Sequence, residues 1–326
     1  MHISAQSLRD RLRGSLIAAA ATPMTADGEV DLDVAARYLA GLVADGAGAL
    51  AVLAHTGRGP FLAPEARAGV IERAVALGVP VLVGVGGHPA APRAGRTATE
   101  AAMEAAAAED AAVEAAVERT VAEARVAAGL GAAGVLVFPA AGDRVALHDA
   151  VWRASGLPMV AFDLYTRPCP PDVLAAILAH QGVAALKTAL LSDAMGCQRA
   201  IALARQAGRL AITGEDRMFG PSLLWGAEAA LVGIAAAGVE ITAAVLAAFR
   251  GRDLRAFEEA SARLDRLAGA TFTEPMEGYV QRMLWLAAAE GRVPGAYAHD
   301  PYGPPLPEAE RAEVVRHRGR TRADGR

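Results

Sequence analysis

The sequence predicts an α/β fold, a (β/α)8 TIM barrel with a C-terminal helical extension. Eight short apolar runs recur over the first 240 residues. Most lack polar alternation, as parallel strands buried on both faces do. Helical patterns stand between them, the signature of repeated βα units. An open doubly wound sheet is the alternative, but its Gly-rich dinucleotide fingerprint is missing.

The strand candidates are 15–21, 49–54, 79–85, 134–138, 159–164, 183–188, 210–213 and 229–235. Helical patterns are expected over 31–45, 64–77, 120–130, 171–180, 193–207 and 219–225. Residues 92–119 are rich in Ala and Glu, which favours an added helix, with a flexible low-complexity insert as the other reading. After residue 240 the strand signal stops, and helical patterns follow over 241–249, 253–268 and 275–289. The expected domains are a barrel over 1–240, a helical domain over 241–310 and a disordered Arg-rich tail over 311–326.

Composition narrows the function. The net charge of −4 gives no basic field for nucleic acid or an anionic membrane. No apolar stretch is long enough and free enough of charge to span a bilayer. Cys169 and Cys197 form no CxxC pair, and a reducing, cytoplasmic setting is expected. The seven histidines lack paired ligand spacing, so no metal site is expected.

The basic residues are the informative ones. Of 32, only Lys187 is lysine; the other 31 are arginine. Arginine can replace lysine in solvation and ion pairs, but not where a neutral amine is needed. Lys187 closes the apolar run Val183-Ala184-Ala185-Leu186, at a strand end, where barrel enzymes place their catalytic groups. Burial lowers a lysine pKa, and a neutral amine can attack a ketone to form a Schiff base. The competing reading is a structural pair with Asp163 or Asp216.

The other strand ends supply further candidates. The amides of His55-Thr56-Gly57 could cradle a carboxylate, with His55 a general base, a substrate donor or a packed loop residue. Arg167 suits bidentate carboxylate binding or a surface ion pair. Tyr165 offers a phenol for proton transfer, or covers the rim.

These pieces, in order, resemble the dihydrodipicolinate synthase and N-acetylneuraminate lyase family. The resemblance rests on Thr22-Pro23-Met24, Asp27-Gly28-Glu29-Val30-Asp31, His55-Thr56-Gly57, Gly84-Val85-Gly86, Leu157-Pro158, Lys187, Gly214-x-Asp216 and Pro301-x-x-Pro304-Pro305-Leu306. It implies Schiff-base, class I aldolase-type lyase chemistry on a pyruvate-type 2-oxo acid, without metal or organic cofactor. It also implies a homo-oligomer, a dimer or tetramer. Lys187 falls on the family's Schiff-base lysine, and His55 and Thr56 on its carboxylate-binding threonine pair. Arg167 falls on a second carboxylate site, and Gly214 and Leu231 on pocket-lining positions.

The departures are equally specific. Phe162-Asp163 stands where the family has its catalytic Tyr-Asn pair, counted from Leu157-Pro158. His55 replaces a threonine, Arg58 a glutamate, and Pro139-Ala140-Ala141 a Pro-Tyr-Tyr. Tyr165, His55 and Asp163 are the candidates to replace the lost phenol. The expectation is a divergent lyase or aldolase rather than a lysine-pathway synthase. A sugar-acid dehydratase using the same imine and a non-catalytic ligand-binding barrel are the alternatives.

Overall fold

The computed structural model describes residues 1–87 and 100–323. Eight parallel strands close into a barrel in sequence order. They are β1 (Leu16–Ala19), β2 (Ala49–Val52), β3 (Val81–Val85), β4 (Gly134–Val137), β5 (Met159–Leu164), β6 (Val183–Ala189), β7 (Leu210–Thr213) and β8 (Ala229–Val232). The last strand returns to the first, with Ile17 opposite Leu231. Every strand residue is buried. That double-sided burial is why the runs carry no polar alternation.

The helices between strands are α2 (Leu32–Ala44), α3 (Pro64–Val75), α4 (Glu100–Gly129), α5 (Arg144–Ser155), α6 (Pro171–Ala179), α7 (Ala194–Gln206) and α8 (Phe219–Leu224). The helix expected over 120–130 is the end of the longer α4, which takes in most of the Ala/Glu segment; positions 92–99 of that segment lie outside the described residues. The strand expected over 229–235 stops at Val232, where a 3-10 turn, Gly233–Ala236, bends the chain across the barrel mouth.

Two helices in the barrel region escaped the sequence reading. α5 is capped by Asp143, whose carboxylate accepts from the amides of Val145 and Ala146 at 2.8 and 3.0 Å. Ahead of β1 lies α1 (Ile3–Leu12), whose Ala5, Leu8 and Leu12 pack with the barrel's own interior, including Ile17, Leu82 and Leu136. Leu8 lies against Gly134 at the start of β4, so α1 plugs the end where the strands begin.

The C-terminal helices are α9 (Val239–Gly251), α10 (Leu254–Thr271), α11 (Tyr279–Ala289) and α12 (Glu308–Ala323). The helix expected over 275–289 begins only at Tyr279, preceded by a short 3-10 turn. Arg282 explains the difference. Its fully buried guanidinium donates to the carbonyls of Thr271, Thr273, Glu274 and Pro275, so the chain before α11 wraps this cation instead of continuing the helix. The expected disordered tail over 311–326 is helical as far as Ala323. Glu310 pairs with Arg282 and Val314 is buried, which fixes α12 to the helices beneath it. Positions 324–326 lie outside the described residues. No described helix is long and apolar enough to cross a membrane.

Candidate active site

Lys187 sits near the C-terminal end of β6, in register with Phe162 on β5 and Ile212 on β7. Its Nζ lies 4.3 Å from the centroid of the Phe162 ring. Gly214, just past β7, makes room for the chain: a Cβ there would stand 2.5 Å from Lys187 Cε. Burial pushes the lysine pKa below its ordinary range, against the pull of the nearby Asp216 and Glu215 carboxylates. Both carboxyls are themselves pushed up by burial, Glu215 to about 7. The amide of Ile234 donates to Asp216 at 2.7 Å, and the amide of Leu191 donates to Glu215 at 3.1 Å. Both acids are thus held by backbone amides, and Lys187 and Asp216 line the same cavity.

The loop after β2 is built on strain. Leu53 and Arg58 both hold left-handed backbone, at φ 57° and 50°. Gly59 presses so close that a Cβ would come 2.1 Å from the Leu53 carbonyl oxygen. The turn so formed carries His55 and Thr56 over the mouth. The Thr56 hydroxyl lies 3.1 Å from the Tyr279 hydroxyl, which comes from the first residue of α11.

A cavity enclosing about 30 Å³ joins these groups. Of the residues singled out by sequence, Lys187, Tyr165, His55, Thr56, Phe162 and Gly214 line it. Four do not. Gly57 binds the barrel instead, its carbonyl accepting from the Thr22 hydroxyl at 2.7 Å. Asp163 points its carboxylate at the Cys169 amide, 2.8 Å away. Arg167 is exposed, and its carbonyl accepts from Arg144. Leu231 is packed in the barrel interior below the cavity. The structural-pair reading of Lys187 with Asp163 meets the same obstacle, because that carboxylate is engaged elsewhere.

Asp216, Gly233, Phe272, Met276 and Tyr279 also line the cavity, and sequence reasoning passed over the last four. Gly233 follows directly on β8, inside the span first read as strand, and the other three lie well beyond it, where the strand-end rule gives no guidance. One signal was available: Arg58, where the family has glutamate. Its guanidinium forks onto Asp300, with contacts of 3.1 and 2.8 Å, and reaches Glu277 at 2.9 Å. A cation in the β2 loop calls for acids elsewhere, and the C-terminal segment supplies them.

Glu277 ties the mouth together. Its carboxylate also accepts from the Tyr165 hydroxyl and lies 3.3 Å from His55 Nε2. Burial pushes its pKa up, but His55, Tyr165 and Arg58 together hold it far below the usual carboxylate range. Burial and the adjacent Glu277 push the Tyr165 phenol up.

The comparisons bear on the fold. Residues 12–117, about a third of the chain, match the model of the Dihydrodipicolinate synthetase family. A 4-hydroxy-tetrahydrodipicolinate synthase from Prochlorococcus marinus (strain MIT 9313) is 38% identical over 103 residues, which is 31% of this chain. The match spans about a third (34%) of that relative's length. Two solved structures share the fold nearly end to end. A prophage protein of the dihydrodipicolinic acid synthase family from E. coli K12, in complex with pyruvate, superposes with a TM-score of 0.77 at 18% identity, covering 94% of this chain and 98% of that one. N-acetylneuraminate lyase from Mycoplasma synoviae does so with a TM-score of 0.73 at 16% identity, covering 97% and 98%.

Proposed function

We propose that this chain is a lyase or aldolase that holds a pyruvate-type 2-oxo acid as an imine on Lys187. The observation that carries the reading is the lysine's setting: a sole lysine, buried at a barrel mouth, lining a small cavity, with a glycine cleared for its side chain. A desolvated amine is neutral more of the time and is a competent nucleophile. The pyruvate complex of the E. coli prophage protein supports the choice of substrate class.

In this reading Lys187 Nζ attacks the 2-oxo carbon. The Thr56 side of the cavity receives the carboxylate, where the loop after β2 turns its polar groups inward. The protonated imine then withdraws electrons, so a bond at the adjacent carbon can break. This chemistry calls on no metal or organic cofactor. Phe162 beside Lys187, and Ala140-Ala141 after β4, argue against a lysine-pathway synthase. The resemblance also supports self-association of the chain.

The test is borohydride trapping with pyruvate and a panel of 2-oxo acids, followed by peptide mapping. The expected result is a reduced adduct on Lys187 and none on Lys187→Arg. Folded protein that gives no adduct with any 2-oxo acid sinks the proposal. Product analysis with an adduct-forming substrate then separates carbon–carbon cleavage, which yields pyruvate and an aldehyde, from dehydration to a single deoxy-oxo acid.

A further inference from the structure

We infer that Tyr279, delivered from the C-terminal helix α11 and paired with Thr56, is the phenol that moves protons at the Lys187 imine. The inference rests on the imine reading above and adds a catalytic residue to it. Imine chemistry needs an acid to expel the carbinolamine oxygen and a base to take a proton from the neighbouring carbon. Phe162, the ring beneath Lys187 Nζ, can do neither.

Five tyrosines are present, and two line the cavity, Tyr165 and Tyr279. The Tyr165 hydroxyl donates to the Glu277 carboxylate, so its proton is committed at the rim. Tyr279 differs. It is buried, its ring stacks on Phe272 with centroids 4.8 Å apart, and the partner of its hydroxyl is the neutral Thr56 hydroxyl at 3.1 Å. Two hydroxyls in contact can pass a proton in either direction, since each is both donor and acceptor. The site is also shaped for this pair. A Cβ on Gly233 would stand 2.9 Å from the Tyr279 ring and 3.2 Å from Thr56 Oγ1. Only glycine lets the two side chains meet there. Burial keeps the resting phenol protonated and makes the phenolate left after donation a stronger base for the C3 proton.

The steps balance. Lys187 Nζ bonds to the 2-oxo carbon, and a proton moves from nitrogen to oxygen, giving the carbinolamine. The Tyr279–Thr56 pair donates a second proton to that oxygen. The C–O bond breaks, water leaves, and a phenolate remains beside the protonated imine. The phenolate then takes a proton from C3, giving the neutral enamine and restoring the phenol.

The experiment follows deuterium exchange at C3 of pyruvate in D2O by NMR, together with the rate and final extent of borohydride-trapped adduct. The proteins are the parent, Tyr279→Phe and Tyr165→Phe, with folding checked by thermal melting. Tyr279→Phe should exchange at least ~100-fold more slowly, the usual scale of a lost general acid–base. It should still reach a comparable final extent of adduct, because Lys187 and the pocket are intact. Tyr165→Phe should slow exchange less than ~10-fold by the same scale. Tyr279→Phe that exchanges within a few fold of the parent overturns the assignment and leaves the imine reading standing. A parent that forms no adduct and exchanges nothing overturns both.

Discussion

The two ends of the barrel are closed by opposite chemistry. At the end where the strands begin, α1 inserts Ala5, Leu8 and Leu12 into an interior of alanine, leucine and isoleucine. At the mouth, the C-terminal segment lies over the opening through Arg58, Glu277, Asp300, His55 and Tyr165. Apolar packing is close to non-directional and costs most wherever a void opens. Charged contacts between side chains are directional and can be exchanged for contacts with water or a ligand anion. The lower end therefore cannot shift without opening a void, while the polar contacts at the upper end can be exchanged one for another.

Substitutions can break that contrast, and Arg282 should produce the largest effect. It lies behind the mouth, and its guanidinium is the common partner of four carbonyls and Glu310. Arg282→Met strips those groups of their donor inside the fold. It should cost about 3–5 kcal/mol, the scale for removing one partner of a buried ion pair. Denaturant unfolding reads the loss. Borohydride trapping should show the adduct falling with it, because Tyr279 and Met276 hang on the same segment.

Leu8→Ala comes next. It should destabilise by about 2–5 kcal/mol through lost transfer energy and a residual void. Adduct formation per folded molecule should stay at the parent rate. A slower rate in well-folded Leu8→Ala would show that the two ends are coupled, and would end the contrast drawn above.

The smallest effect on stability belongs to Glu277→Gln. The carboxylate is partly exposed, so its loss should cost under about 1 kcal/mol after allowance for solvent screening. Its pH signature is more telling. The folded-state pKa is depressed by His55, Tyr165 and Arg58, against the upward push of burial. The stabilisation is therefore complete above the unfolded carboxylate pKa of ~4.3 and is lost as pH falls below it. Parent melting temperatures should drop on acidification from about pH 5, and those of Glu277→Gln should drop less steeply. Parallel curves for the two proteins would mean that the mouth contacts do not hold the carboxylate charged.

The sequence showed the barrel well because barrel strands announce themselves: continuous apolar runs can be counted without knowing their partners. It showed Lys187 because one residue type had been all but removed elsewhere. It missed α5, although Asp143 and Gly156 mark its two ends, since the helix face carries His148 and Trp152 rather than a clean aliphatic stripe. It missed α1, although Ala5, Leu8 and Leu12 keep the i, i+3, i+7 spacing of one helix face, because three residues in a ten-residue helix make only a short stripe. Tyr279 was invisible for a related reason. Its partner Thr56 lies 223 residues earlier, and no local pattern records a contact of that span. Arg167 shows the reverse error: a residue well placed by motif counting can still point into solvent.

The long reach between Thr56 and Tyr279 bears on how the molecule comes into being. A chain leaves the ribosome from its N-terminus, and early segments organise first. All eight strands and the lysine have emerged by Val232, yet Tyr279, Glu277 and Asp300 have still to be synthesised. In the proposed scheme a barrel formed at that stage would hold the Lys187 amine at a mouth that the C-terminal segment does not yet cover. In the proposed scheme, competence arrives only with completion, so a chain cut short after the barrel would carry the nucleophile without its proton donor.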